Sequence, residues 1–128
     1  MKNAIILPQI VSEAWENKQK AIVFTTVNKE GIPNSIYATC VARHGENKIL
    51  VANNFFHKTL ENINSGTKGS VLFITNEDKS FQLKGTLSYF EAGELFDEMK
   101  SWNPTRLPGH GVVVLEIEEV FAGAEKLI

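Results

Sequence analysis

Apolar residues at Leu7, Ile10, Val11, Ala14 and Trp15 fall on one helical face, and Pro8 suits a first turn, where a missing N–H goes unnoticed. The polar stretch Asn17-Lys18-Gln19-Lys20 ends that helix. The period then shortens to alternate residues. Ala21 to Val27 is β-branched and apolar and predicts a first strand, followed by a turn at Asn28-Lys29-Glu30-Gly31-Ile32-Pro33. Asn34 to Arg43 predicts a second strand, His44-Gly45-Glu46-Asn47 a tight turn, and Lys48 to Asn53 a third strand. Connections this short predict an antiparallel meander. Leu60 and Ile63 mark a short helix that stops near Ser65-Gly66, with Gly66 in the left-handed terminal conformation.

Ser70 to Thr75 predicts a fourth strand and Asn76-Glu77-Asp78-Lys79 the next turn. The fifth strand alternates most clearly: Phe81, Leu83, Leu87 and Tyr89 face one way, Gln82, Lys84, Thr86 and Ser88 the other. Gly85 interrupts the apolar face, as at a bend or a close backbone approach. Leu95, Phe96, Met99 and Trp102 predict the buried edge of a third helix, which ends in the breaker-rich loop Asn103 to Gly111. Val112 to Phe121 predicts the last strand, with Glu116, Glu118 and Glu119 on its wet face. Six strands joined mostly by hairpins tend to close on themselves, because closure removes exposed edges. The expectation is a mainly β fold: one domain over residues 1–128, a six-stranded antiparallel barrel with short helices over its open ends.

Composition narrows the function classes. The hydrophobic share of 43% and charged share of 22% are those of an ordinary globular domain. The net charge of −2, without a basic stripe, argues against a nucleic-acid binder. Pro8, Glu13 and Glu16 break up the apolar start, and no small-residue cleavage site follows, so a cytoplasmic protein is expected. The single cysteine, Cys40, allows no internal disulfide and lies among small neighbours as a packed strand residue.

Candidate chemistry concentrates in Asn53-Asn54-Phe55-Phe56-His57-Lys58-Thr59, between the third strand and the second helix. A strand running into a helix start exposes free N–H groups and the positive end of the helix dipole. With the Lys58 ammonium, the Thr59 hydroxyl and the His57 ring, this spot suits a phosphate. The same residues also read as a helix cap, a solvated charge and a loop histidine. Gln82 and Lys84 read either as further contacts or as the outward face of a half-exposed strand. There is no glycine-rich phosphate loop, no zinc-type histidine pair and no serine elbow. His44 falls in a hairpin turn and reads as solvated; His110, between two glycines, is expected to be unburied.

Four pieces in order carry a resemblance: Val23-Phe24-Thr25-Thr26-Val27 with the Gly31/Pro33 turn; Ser35 to Val41; Ile49 to Asn53 running into His57-Lys58-Thr59-Leu60-Glu61-Asn62-Ile63; and Phe81 to Thr86. Together, over roughly residues 20 to 121, they resemble the pyridoxamine 5′-phosphate oxidase-like split-barrel flavoproteins, in particular the short FMN-binding members. The resemblance implies a split barrel with FMN as cofactor. The phosphate would be held by Lys58 and Thr59 with His57 beside them, and the ring would lie against Tyr37, Ala38, Thr39, Val51 and Ala52, largely through backbone groups. Gln82 and Lys84 would add contacts.

The resemblance also implies a homodimer with the flavin at the interface, and Trp102, Pro104, Arg106 and His110 lie where a partner's contribution would come from. Trp102 also reads as a core residue of its own helix, by its spacing from Leu95 and Met99. No amino acid is expected to act as catalytic nucleophile or metal ligand. The implied activity is an oxidoreductase acting on a small substrate. The alternatives are a non-enzymatic flavin carrier or electron shuttle, or a relative that binds deazaflavin or haem. Family members that oxidise the vitamin phosphate end in a basic, aromatic segment, which Glu125-Lys126-Leu127-Ile128 does not resemble, so that particular activity is not expected.

Overall fold

The computed structural model describes residues 4–65 and 68–128. The elements run α1 (Gln9–Glu16), β1 (Ile22–Val27), β2 (Pro33–Ala38), β3 (Val41–His44), β4 (Lys48–Asn53), α2 (Lys58–Ser65), β5 (Lys68–Ile74), β6 (Ser80–Phe90), α3 (Glu94–Trp102), β7 (Gly111–Ala122) and β8 (Glu125–Lys126). All eight strands belong to one antiparallel sheet, ordered β2-β1-β5-β6-β7-β4-β3, with β8 on β7. The count of six is corrected in two places. The expected second strand breaks at Thr39-Cys40 into β2 and β3, and a short β8 follows β7. The expected meander is likewise divided. β1 pairs with β2 and β3 pairs with β4, but the two hairpins sit at opposite ends of the strand order.

That order forces curvature. The two ends of the path, β2 and β3, are neighbours in the chain, joined only by Thr39 and Cys40. The sheet must therefore curl into a split barrel. Inward side chains from β1, β4, β5, β6 and β7 meet in one core, with Phe24, Val51, Phe73, Leu83 and Leu115 almost fully buried. Phe73 stacks on Phe81 at 5.5 Å and meets Trp15 of α1 edge-on at 5.2 Å.

The bend falls at Gly85, as the interrupted alternation predicts. The β6–β7 register shifts between Lys84 and Gly85, and a Cβ at Gly85 would overlap the Glu116 carbonyl. The bulged β7 residue Glu118 reaches back with its carboxylate to Lys68 at 2.7 Å and to the Thr86 hydroxyl at 2.9 Å.

α1 and α2 close the barrel. Val11, Ala14 and Trp15 of α1 and Ile63 of α2 join the core. Ile10 does not; it is exposed, and Leu7, ahead of the helix, is buried instead. Pro8 is the capping residue rather than part of the first turn. Lys18 places its ammonium 4.9 Å over the Trp15 ring, and burial lowers its pKa against the raising effect of Glu16. α3 does not cover an end. It lies on the outer face of β4 and β7, where Met99 packs on Leu50, Ala52, Val112 and Val114. The Gly66 conformation expected after α2 lies outside the described residues. No helix among those described is long and apolar enough to cross a membrane.

Gly85→Ala is expected to destabilise the fold by about 2–3 kcal/mol through this overlap. Thermal denaturation should show a midpoint lower by roughly 10 °C; an unchanged midpoint would mean that the bulge accommodates a side chain.

Candidate functional site

The crossing from β2 to β3 leaves a cleft of about 310 Å³ against the turn that follows β4. Its walls are apolar and small-sided, with Ile36 and Ala38 from β2, Ala52 from β4, and Phe56 and Leu107 from loops. Alanines on two walls allow a flat group to come close to the strand backbones. At the rim stand Tyr37 and Phe55, 80% and 79% exposed. Large aromatic surfaces this open are unusual on a lone chain and suit stacking or a partner.

Two asparagines shape the turn. Asn53 donates from Nδ2 to the Tyr89 hydroxyl at 2.8 Å, while its Oδ1 accepts from the Phe56 N–H at 3.0 Å. Tyr89 reaches this position because its ring crosses directly over Gly111, where any Cβ would collide with it. Asn54 and Asn103 exchange amide hydrogen bonds of 3.0 and 2.9 Å, and the Gly109 N–H adds a third at 2.9 Å to Asn54 Oδ1. Both amides are buried, at 8% and 5% exposure. This pair ties the loop after α3, with Leu107, to the turn after β4. Sequence reasoning missed it: the partners are 49 residues apart, and no local pattern signals a reciprocal amide pair.

The cation does not line this cleft. Lys58, the first residue of α2, is exposed, as is His57 before it. Lys58 lines a separate hollow of about 460 Å³ between α2 and the β1–β2 turn, together with Lys29, Glu30, Glu61 and Asn34. Thr59 is turned inward: it is buried and accepts a 3.2 Å hydrogen bond from Asn34 Nδ2. One turn on, Asn62 donates to Thr26 at 3.0 Å. These two bonds fix α2 against β1 and β2.

Tyr37, Ala38, Thr39 and Ala52 all line the first cleft. Val51 does not; its side chain lies in the barrel core. Its strand is flanked by β3 and β7, and the neighbouring Ala52 N–H is already bonded to the Cys40 carbonyl at 3.0 Å. Gln82 and Lys84 lie on the outer face of β6, separated from β2 by β5 and β1. There they line a hollow of about 480 Å³ with Thr25 and Ser70, and Lys84 sits 4.8 Å over the Phe121 ring.

Other expectations resolve in both directions. His44 is not merely solvated, since its Nδ1 meets Glu98 of α3 at 2.9 Å. His110 is exposed, its N–H bonded to the Asn53 carbonyl at 2.9 Å. Cys40 is half-buried at the strand break rather than within a strand. Trp102 packs only partly against the core under α3, and its indole nitrogen is buried without a hydrogen-bond partner among the described residues. No cluster of three or more histidine, cysteine or acidic residues suited to a metal occurs among them.

A family model described as pyridoxamine 5′-phosphate oxidase matches residues 10–122. An uncharacterized protein of Methanocaldococcus jannaschii is 30% identical over 119 residues, 88% of this chain and 80% of that protein. Among solved structures, HupZ of Group A Streptococcus superposes with a TM-score of 0.80 at 19% identity, covering 91% of this chain and 94% of that one. An FMN-binding protein from Syntrophomonas wolfei superposes at 0.75 with 21% identity, covering 88% and 85%. The same fold occurs in HutZ, the heme storage protein of Vibrio cholerae, at 0.66 and 17% identity over 92% and 95%. It occurs also in an F420 reductase, at 0.64 and 12% identity over 82% and 91%.

Asn54→Ala leaves the Asn103 amide and the Gly109 N–H without their acceptor inside the protein. A loss of about 2–3 kcal/mol is expected, with faster amide exchange across residues 104–110 than elsewhere. Unchanged exchange in that loop would show that the amide pair does not hold it.

Proposed function

The chain belongs to the pyridoxamine 5′-phosphate oxidase family, and from that premise we propose that it is a cytoplasmic, homodimeric FMN-binding protein, acting as an oxidoreductase on a small substrate. The observation that carries the reading is a small-walled apolar cleft together with an unpaired cation at the start of α2, two residues along the chain from the cleft residue Phe56. Ala38 and Ala52 leave room for a flat ring between β2 and the turn after β4. Lys58, which has no ion-pair partner among the described residues, and His57 then hold the phosphate at the start of α2. Thr59 serves chiefly by locking α2 to Asn34, which keeps Lys58 in position. A lone cysteine with no disulfide suits a reducing compartment.

Bound there, the flavin supplies hydride and electron transfer that no side chain of the cleft provides. The protein's own part is to bind and orient. The backbones of β2 and the side chains of Ile36 and Phe56 exclude water from one side, and Leu107, held by the Asn54–Asn103 pair, covers another.

The dimer accounts for the uncovered apolar surface. Across the outer face, Tyr37, Val23, Leu72, Gln82 and Phe121 stand in register on successive strands, a mostly apolar row. A second copy on this face covers Tyr37, and it also brings Gln82 and Lys84 of one chain toward the flavin of the other. Of the three remaining readings, a flavin carrier differs only in lacking turnover, which NADH or NADPH with a panel of acceptors will decide. A haem requires an axial ligand; no histidine lines the cleft, but Tyr37 and Cys40 do, and the absorption spectrum separates haem from flavin. A deazaflavin fits the same walls, and its absorption separates it from FMN.

Purified protein is expected to show flavin absorption or to take up added FMN. Lys58→Ala should weaken FMN by about tenfold, the worth of one partly solvated charge-assisted contact; equal affinity by fluorescence titration would remove Lys58 from the site. Light scattering should give twice the chain mass with FMN bound, whereas a monomer retaining flavin would contradict the shared interface.

A further inference from the structure

Asn53 and Tyr89 line neither the first cleft nor the Lys58 hollow, yet they hold the segment that joins the two. Phe56 forms a wall of the cleft, and Lys58, two residues later, lines the hollow. This short stretch is pinned at both ends. The leading pin is the Phe56 N–H, bonded at 3.0 Å to Asn53 Oδ1. The trailing pin is the buried Thr59 hydroxyl, which accepts from Asn34 Nδ2 at 3.2 Å. His57 and Lys58, both exposed, lie between them. Two side-chain bonds, from β4 and β2, thus set how far the ammonium stands from the cleft.

The leading pin depends in turn on Tyr89. Asn53 is 2% exposed, and a buried amide needs partners for its nitrogen as well as its oxygen. The Tyr89 hydroxyl, 36 residues away in the chain, accepts from Nδ2 at 2.8 Å while Oδ1 holds the Phe56 N–H. The main chain of Asn53 is fixed separately, its carbonyl accepting the His110 N–H at 2.9 Å. The freedom left to the side chain is rotation of its amide, and the Tyr89 hydroxyl is the group that stops it. Tyr89 reaches from β6 across β7 to β4, a path open only because Gly111 puts no Cβ under the ring. The Phe56 ring has a different support, packing on Phe24 at 6.2 Å.

We propose that Tyr89 is a positioning residue for the flavin phosphate: through Asn53 and the Phe56 N–H it sets the spacing between the ring cleft and the cation at the start of α2. The proposal rests on the FMN reading and deepens it. Because the Phe56 ring rests on Phe24, loss of the Tyr89 hydroxyl falls on recognition of the phosphate and spares recognition of the ring.

The test compares FMN with riboflavin, which carries the same ring without the phosphate, by flavin fluorescence titration of the full-length protein freed of bound flavin. Tyr89→Phe keeps the aromatic ring and removes only the hydroxyl. It is expected to weaken FMN about fivefold, as for one hydrogen bond, and to leave riboflavin unchanged. Asn53→Ala should also weaken FMN selectively, and adding Tyr89→Phe to it should cost nothing further, since residues acting in series are not additive. Equal weakening of both flavins, unchanged FMN affinity, or additive losses in the double variant overturns the proposal. If Asn53→Ala does not fold, amide exchange at Phe56 in Tyr89→Phe replaces the double variant: faster exchange supports the relay, and an unchanged rate overturns it. The two readings fail separately. Wild-type protein that binds no FMN removes the flavin and the phosphate role together, whereas wild-type protein that binds FMN, with Tyr89→Phe equally selective for the phosphate, removes only the positioning role.

Discussion

One covalent constraint organises the molecule. β2 and β3 occupy opposite ends of the strand order, yet only Thr39 and Cys40 separate them in the chain. A flat sheet would hold these edges several strand spacings apart, each about 4.8 Å. The sheet must curl, and the bulge at Gly85 supplies part of the bend. The same crossing leaves the gap in the wall that becomes the first cleft. Curvature and cleft therefore share one cause.

The helices then take unequal roles. α1 and α2 add side chains to the barrel core, so their positions follow from burial of apolar area. α3 packs outside on Leu50, Ala52, Val112 and Val114, and through Asn103 it sets the loop that carries Arg106 and Leu107. Polar contacts decide the fine geometry. Asn53 and Asn54, both buried, bond to Tyr89, Phe56, Asn103 and Gly109. Buried amides are costly unless satisfied, so this network accepts few alternative arrangements of the turn.

Charge is placed against that rigid frame. Lys58, Lys20 and Arg106 are all at the surface, where a salt bridge would be worth little, and none is in one among the described residues. They contribute little to holding the fold. The exposed Tyr37 and Phe55 make the same point for apolar surface.

Local pattern by itself determined the strands from Ile22 to Val27, Lys48 to Asn53 and Ser80 to Phe90, the three helices and the bend at Gly85, because each depends on neighbours within one turn or one pleat. It marked the turn after Asn53 as chemically unusual and brought Tyr37, Ala38, Thr39 and Ala52 to notice through a family likeness. It did not reveal the break at Thr39-Cys40, where Asn34 to Arg43 reads as one extended run until the two halves find different partners. Nor did it reveal the outward face of β7 under α3, the inward turn of Thr59 to Asn34, or the Asn54–Asn103 pair. These depend on which distant segment arrives alongside, and only the closed packing of the sheet decides that.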